Sequence, residues 1–173
     1  NTPCGKDLLV PMVDAFRHEG LKIGFYHSLL DWHHPDFPID GLHSQRNDKE
    51  LREKEKNRDV TKYADYLCGQ SAELMDRFSP DIMWYDFSYS AFMEDGGKGK
   101  DDWQSERVIE MLRKKNPNIL INDRLEIDQD FKTPEQVQPD KWHEVDGKPV
   151  YWEACQTLNG SWGYDRDNMD WKS

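Results

Sequence analysis

The order of helix-patterned segments and short apolar runs constrains this chain more than any other feature. Asp7 to Glu19 places Leu8, Leu9, Met12, Val13 and Phe16 at i, i+3 and i+4 spacing, the pattern of an amphipathic helix. Gly20 supplies its stop, and Leu21 to Tyr26 follows as a short strand. Thr61 to Phe78 repeats the helical pattern, with Leu67, Ser71, Leu74 and Phe78 on one face and Asp59 or Thr61 as the cap. Ser79-Pro80 breaks that helix, and Ile82 to Asp86 reads as a buried strand ending in a carboxylate. Trp103 to Lys115 gives a third helix with Val108, Met111 and Leu112 inward, then Asn118 to Asn122 a third strand. A long loop runs to Pro149, and Val150 to Glu153 is a fourth strand.

Strands alternating with helices imply a parallel sheet with right-handed crossovers. The segments after the strands are long and polar, whereas those before them are one to three residues. That asymmetry fits a (β/α)8 barrel, in which the loops after the strands build the active face. A doubly wound sheet fits the order as well, but no glycine-rich phosphate turn is visible. The expected fold is α/β and TIM-barrel-like, an incomplete barrel with about four parallel strands, because 173 residues fall short of the ~250 of a closed one.

Composition removes several function classes. With 34 Asp+Glu against 23 Lys+Arg, the net charge of -11 argues against tracking nucleic-acid phosphates. No run approaches the ~20 apolar residues of a membrane span. The N-terminal stretch lacks the basic and apolar regions of a signal peptide, so a cytoplasmic location is the default expectation. Cys4, Cys68 and Cys155 are odd in number and in no CxxC pair, which suits neither a disulfide framework nor a zinc site. His33-His34 is not a metal pair either, since adjacent side chains point apart and no HExxH spacing supports it. The mixed charge run Lys49 to Arg58 reads as a solvated face, and the Glu94 to Asp102 segment as a Gly/Lys/Asp-rich loop.

Each strand ends in a group that can do chemistry: Tyr26-His27-Ser28, Asp86, Asn122-Asp123-Arg124 and Glu153. In a parallel sheet these ends share one side. Side chains alternate along a strand, so Trp84 and Asp86 share a face, an indole beside a carboxylate where a sugar could stack. The plainer reading makes Asp86 a turn residue for the loop that follows. Arg124 can hold hydroxyls or a carboxylate, or form a structural ion pair with Asp123 or a neighbouring strand. Glu135, on a loop, and Glu153, beside Trp152, are acid/base candidates, or else solvated surface carboxylates. A retaining glycosidase needs two carboxyl groups about 5–5.5 Å apart. Trp84, Trp152 and Trp162 suit sugar stacking. The sequon Asn159-Gly160-Ser161 is taken as chance.

Together, the ordered stretches Asn1-Thr2-Pro3-Cys4, Gly20 to Ser28, Asp31-Trp32, Pro80 to Asp86, Ile121 to Arg124, Trp152-Glu153 and Ser161 to Tyr164 resemble glycoside hydrolase family 29, the α-L-fucosidases. The resemblance implies a retaining mechanism on a (β/α)8-like barrel, with a fucosylated glycan or glycoside as substrate and no cofactor or metal. It makes Asp86 the nucleophile and places Tyr26, Trp84 and Arg124 around the fucose; His27, at the same strand end, is a further substrate-binding candidate. It makes either Glu135, in the Phe-Lys-Thr-x-Glu stretch, or Glu153, in the Trp-Glu stretch, the general acid/base, with Glu135 favoured. The family's upstream His-His-Asp-Gly and Glu-Trp motifs and its C-terminal β-sandwich are absent from these residues. Residues 1–173 are therefore expected to be a central part of a catalytic domain. The alternatives are a non-catalytic carbohydrate-binding fragment and, with less in its favour, a metal-dependent hydrolase on a similar barrel.

Overall fold

A computed structural model describes residues 3–90 and 97–172. Asn1, Thr2 and the Glu94 to Gly96 part of the Gly/Lys/Asp-rich loop lie outside the described residues. The first helix, α1 (Leu9–His18), starts where Asp7 Oδ1 accepts from the backbone N–H groups of Leu9 and Val10 at 2.9 and 3.3 Å. Those bonds satisfy donors that a helix leaves unpaired at its first turn. Gly20 then takes a φ of +73°, as its stop role requires. The apolar face expected on α1 is not buried as a whole. Val13 is in the core and Leu9 packs against it, but Leu8, Met12 and Phe16 are exposed. The helix meets the rest of the described chain along a stripe only one residue wide.

Strand β1 is Gly24–Ser28, starting three residues and ending two residues later than the expected Leu21 to Tyr26. Its neighbour sets the shift: Asp81 Oδ2 accepts from Ile23 N at 2.9 Å, and Ile23 O accepts from Asp81 N at 2.8 Å. The parallel ladder with β2 (Ile82–Asp86) begins just beyond, pairing Gly24 with Ile82 and Ser28 with Asp86. A Cβ on Gly24 would stand 3.3 Å from Ile82 Cβ, so glycine permits this close approach.

The charge run contains a short exposed helix, α2 (Lys49–Lys54), capped by Asp48. Arg58, at its end, turns inward and donates to Phe37 O at 2.9 Å. Helix α3 (Val60–Phe78) is capped by Asp59, whose Oδ1 accepts from Thr61 N at 3.0 Å. It buries Tyr63, Leu67, Ser71, Met75 and Phe78 on one face. Ser71 is there because Tyr85 donates its hydroxyl to Ser71 Oγ at 2.9 Å, which pays no penalty for two buried polar atoms. Helices α4 (Lys100–Trp103) and α5 (Ser105–Lys115) pack on the same side, bringing in Trp103, Val108 and Leu112.

The sheet of β1, β2 and β3 (Leu120–Ile121) is parallel, with β2 central. Phe25, Met83, Tyr85 and Ile121 face the helices and form the core. Tyr26, Trp84 and Leu120 face the other way and are partly or largely exposed. Beyond β3 come a 3-10 turn (Asp123–Leu125), β4 (Phe131–Lys132), a hairpin of β5 (Glu144–Val145) and β6 (Lys148–Pro149), and β7 (Tyr151–Trp152). The segment read as a loop to Pro149 thus holds three short strands. The expected fourth strand, β7, does not join β3 directly. It pairs in parallel with β4, which itself meets the end of β3 through an Asn122–Phe131 bridge. Two-residue strands are too short to carry a period, which is why β4 left no trace in the sequence pattern.

The fold is α/β with parallel strands, and among the described residues the strands do not close on themselves. The thirty residues after β1 are not loose. Phe37 and His43 are buried among them, and Lys98 holds Asp40 in a buried ion pair while donating to Pro38 O at 3.0 Å. No helix of the described residues is long and apolar enough to cross a membrane.

Candidate active site

The strand ends converge as parallel pairing requires. β1 and β2 put Tyr26 beside Trp84 in register, and their rings stack at 5.4 Å with an interplanar angle of 18°. Tyr26 donates its hydroxyl to Asp86 Oδ2 at 2.6 Å. Asp86 Oδ1 accepts from Arg124 Nη1 at 3.2 Å and from Phe87 N at 2.9 Å. The turn role considered for Asp86 is therefore real, and it coexists with the cluster. Phe87 takes a φ of +72°, a strained value for an aromatic residue.

Asn122 prepares the strand end. Its Oδ1 accepts from Tyr85 N at 3.0 Å and its Nδ2 donates to Tyr85 O at 2.9 Å. The buried side-chain amide thus continues the β2 ladder where β3 stops, one residue before Asp86. The chain then turns through the 3-10 segment and presents Arg124. Its guanidinium carbon lies 5.3 Å from the centre of the Trp84 ring, within cation–π range. Arg124 Nη1 donates to Asp86 and also to Glu135 Oε2, at 2.7 Å. The ion pair with Asp123 considered for Arg124 does not form; Asp123 pairs with Lys132 instead, at 3.8 Å.

The ribbon of β4 and β7 carries both glutamates. Glu135 and Cys155 form the next bridge after the ribbon, and Glu153 N donates to Lys132 O at 2.9 Å. Glu153 Oε2 accepts from Trp84 Nε1 at 3.3 Å. Trp84 therefore touches Tyr26 by its face and Glu153 by its edge, with Arg124 over the ring. A pocket of about 360 Å³ lies among Tyr26, Trp84, Asp86, Phe87, Tyr89, Arg124, Glu135, Cys155 and Trp162.

Burial and the neighbouring Asp86 together hold the Tyr26 phenol well above its ordinary range, so it stays a hydrogen-bond donor. Burial alone would lower the pKa of Arg124, but the Glu135 bond and the charges of Glu135 and Asp86 outweigh it and raise it. Burial pushes the Cys155 thiol up, with the Glu153 charge adding to it.

One expected site residue goes elsewhere. His27 follows Tyr26 on the strand and therefore points to the opposite, helix-facing side, where its ring lies 5.5 Å from that of Tyr85. It does not line the pocket. Burial lowers its pKa. Trp152 packs against Trp142 and borders an adjacent cleft with Tyr151 and Phe131. His34 packs against Tyr63 and Tyr66, and among the described residues no group of three or more His, Cys, Asp or Glu is placed to hold a metal ion. Asn159 of the sequon is buried, its Oδ1 accepting from Ser161 N at 2.9 Å. Phe87, Tyr89 and Cys155 line the pocket without having been singled out. Cys155 was readable in principle, since it lies two residues beyond Glu153 in an extended segment.

The family model described as Alpha-L-fucosidase matches residues 1–173. The chain belongs to the α-L-fucosidase family. The α-L-fucosidase isoenzyme 1 of Paenibacillus thiaminolyticus is 40% identical, with a TM-score of 0.83 over 100% of this chain and 42% of that one. A Thermotoga maritima α-fucosidase in complex with fucose is 26% identical, with a TM-score of 0.57 over 97% of this chain and 34% of that one. The tissue α-L-fucosidase of Bos taurus is 26% identical over 94% of this chain and 32% of its own length. This fucosidase-family chain thus spans about a third of the length of the curated relatives it matches.

Proposed function

We propose that this chain carries the catalytic centre of a retaining α-L-fucosidase that cleaves terminal α-linked L-fucose from a glycan or glycoside. One observation carries the reading: Asp86 and Glu135 accept hydrogen bonds from the same nitrogen, Arg124 Nη1. Their nearest oxygens can be no farther apart than those two bonds, 3.2 and 2.7 Å, laid end to end. That limit is compatible with the ~5–5.5 Å of a retaining pair.

In this account Asp86 Oδ attacks the anomeric carbon of fucose. Glu135 gives its proton to the departing glycosidic oxygen, leaving a covalent glycosyl-enzyme. Glu135 then takes a proton from water, which attacks the same carbon and frees Asp86. The Tyr26 hydroxyl and the Arg124 guanidinium orient the nucleophile by occupying its two oxygens. Trp84 offers its ring to the sugar and its Nε1 to Glu153, the second candidate for the acid/base role. The strands and the shared exit face are read as part of a (β/α)8 barrel, with residues 1–173 forming part of the catalytic domain. No cofactor is needed for these steps. The Thermotoga relative, whose structure contains fucose, supports the choice of sugar.

The test is hydrolysis of an aryl α-L-fucoside by the complete catalytic domain, followed by proton NMR. The reading expects α-L-fucose as the first product, before mutarotation. β-L-Fucose as the first product, or no hydrolysis, would overturn it.

A further inference from the structure

Arg124 is held from behind as firmly as it holds the two carboxyl groups in front. Its Nε donates to Thr133 Oγ1 at 2.7 Å and its Nη2 to Thr133 O at 3.1 Å. Thr133 is buried, and its own partner is Asp123: Oγ1 donates to Asp123 Oδ1 at 2.7 Å, and Thr133 N donates to the same oxygen at 3.1 Å.

The direction of this chain of bonds is fixed by chemistry. A guanidinium has donors only, so Thr133 Oγ1 must accept from Nε. Its single hydrogen then goes to Asp123, which as an acceptor fixes the rotation of the hydroxyl. With Nε and Nη2 both committed to Thr133, the rigid planar fork leaves Nη1 facing Asp86 and Glu135. Thr133 also stands two residues before Glu135, so one short segment sets both the arginine and the glutamate it binds.

We infer that Asp123 and Thr133 are a positioning pair for Arg124, fixing the guanidinium that registers Asp86 against Glu135. Neither residue lines the pocket, and the kinetic part of the inference rests on the fucosidase reading. A side chain that loses its orienting partner by about 1 Å can cost about 10²-fold in rate. Valine matches threonine in shape but has no hydroxyl, so Thr133→Val removes the relay and keeps the packing.

The experiment measures two things in Thr133→Val, Thr133→Ser, Asp123→Ala and Asp123→Asn. The first is kinetics on an aryl α-L-fucoside across pH. Thr133→Val and Asp123→Ala should lose about 10- to 10²-fold in kcat with KM little changed, and shift a limb of the kcat/KM profile. Thr133→Ser and Asp123→Asn, which keep the hydroxyl and an acceptor oxygen, should recover most of that loss. The second is the Arg124 Nε–Hε NMR signal, which needs no turnover. It should exchange slowly in the parent protein and rapidly in Thr133→Val and Asp123→Ala. If Thr133→Val does not fold, Asp123→Ala reads the same relay at a partly exposed position. Parent-like kinetics and a slowly exchanging Hε in Thr133→Val or Asp123→Ala would overturn the inference, as would a Thr133→Ser variant as impaired as Thr133→Val. If the parent releases no fucose, the fucosidase reading falls and the NMR signal alone decides the positioning role.

Discussion

Asn122 binds Tyr85 by both of its backbone atoms, accepting from its N–H at 3.0 Å and donating to its carbonyl at 2.9 Å. Both residues are fully buried. The pair replaces a stretch of strand that β3 is too short to supply, and it fixes the chain one residue before Asp86. Asn122→Ala would strand two buried backbone groups, each costing about 1–3 kcal/mol. A denaturant midpoint well below the parent's is expected. Asn122→Asp, which keeps the acceptor but offers no amide donor, should fall in the same direction. An unchanged midpoint in Asn122→Ala would show that the amide does not carry the strand end.

Replacing Asp86, the proposed nucleophile, should separate chemistry from folding. Asp86→Gly should lower kcat by about 10⁴-fold or more, since no other group takes over the attack. Azide, small enough to enter the vacated space, should restore part of the turnover and leave a fucosyl azide. Activity within tenfold of the parent would remove Asp86 from the role.

The two glutamates are distinguished by their leaving-group dependence. A general acid contributes about 10²–10⁴-fold, and least where the leaving group needs no proton. Glu135→Ala should therefore lose far more activity on a fucosylated sugar than on a nitrophenyl fucoside. Glu153→Ala should lose similar amounts on both, because its bond to Trp84 Nε1 shapes the pocket wall. The reverse pattern would assign the acid/base to Glu153.

His27 predicts a pH dependence of stability. Burial lowers its pKa in the folded protein below the ordinary value of about 6.5. The unfolded chain then takes up the proton first, so stability is fully present above pH ~6.5 and is lost as pH falls toward the folded value. His43, also lowered by burial, acts in the same direction. His27→Gln should flatten part of the decline between pH 7 and 5, read by thermal unfolding at each pH. An equally steep decline in the variant would contradict this.

The sequence was legible where burial repeats over many residues. The nineteen residues of α3 and the five of β2 each show one face to the core, so their bounds were legible to within a residue, and Leu67, Ser71 and Phe78 are inward as expected while Leu74 is only partly buried and Tyr63 and Met75 take its place. Asp86, Arg124 and the glutamates were legible because strand ends in a parallel sheet share a side. His27 departs from its expected place in the site because alternation from Tyr26 puts it on the far face, against Tyr85. Strand β7 falls within the expected Val150 to Glu153, but its partner β4 could not be read, since a two-residue strand carries no period. The Asp123–Thr133–Arg124 relay depends on a turn that folds residues ten apart onto one another, which no local pattern encodes.

The account stands on Asp86 as the residue that becomes covalently fucosylated. A 2-deoxy-2-fluoro-L-fucosyl donor with a good leaving group slows both steps but lets the intermediate accumulate. After incubation and proteolysis, mass spectrometry should find the fluorofucosyl group on the peptide that contains Ile82 to Asp86, with fragmentation placing it on Asp86. A label on Glu135 or Glu153, or steady hydrolysis of the donor with no labelled peptide at all, would contradict the account.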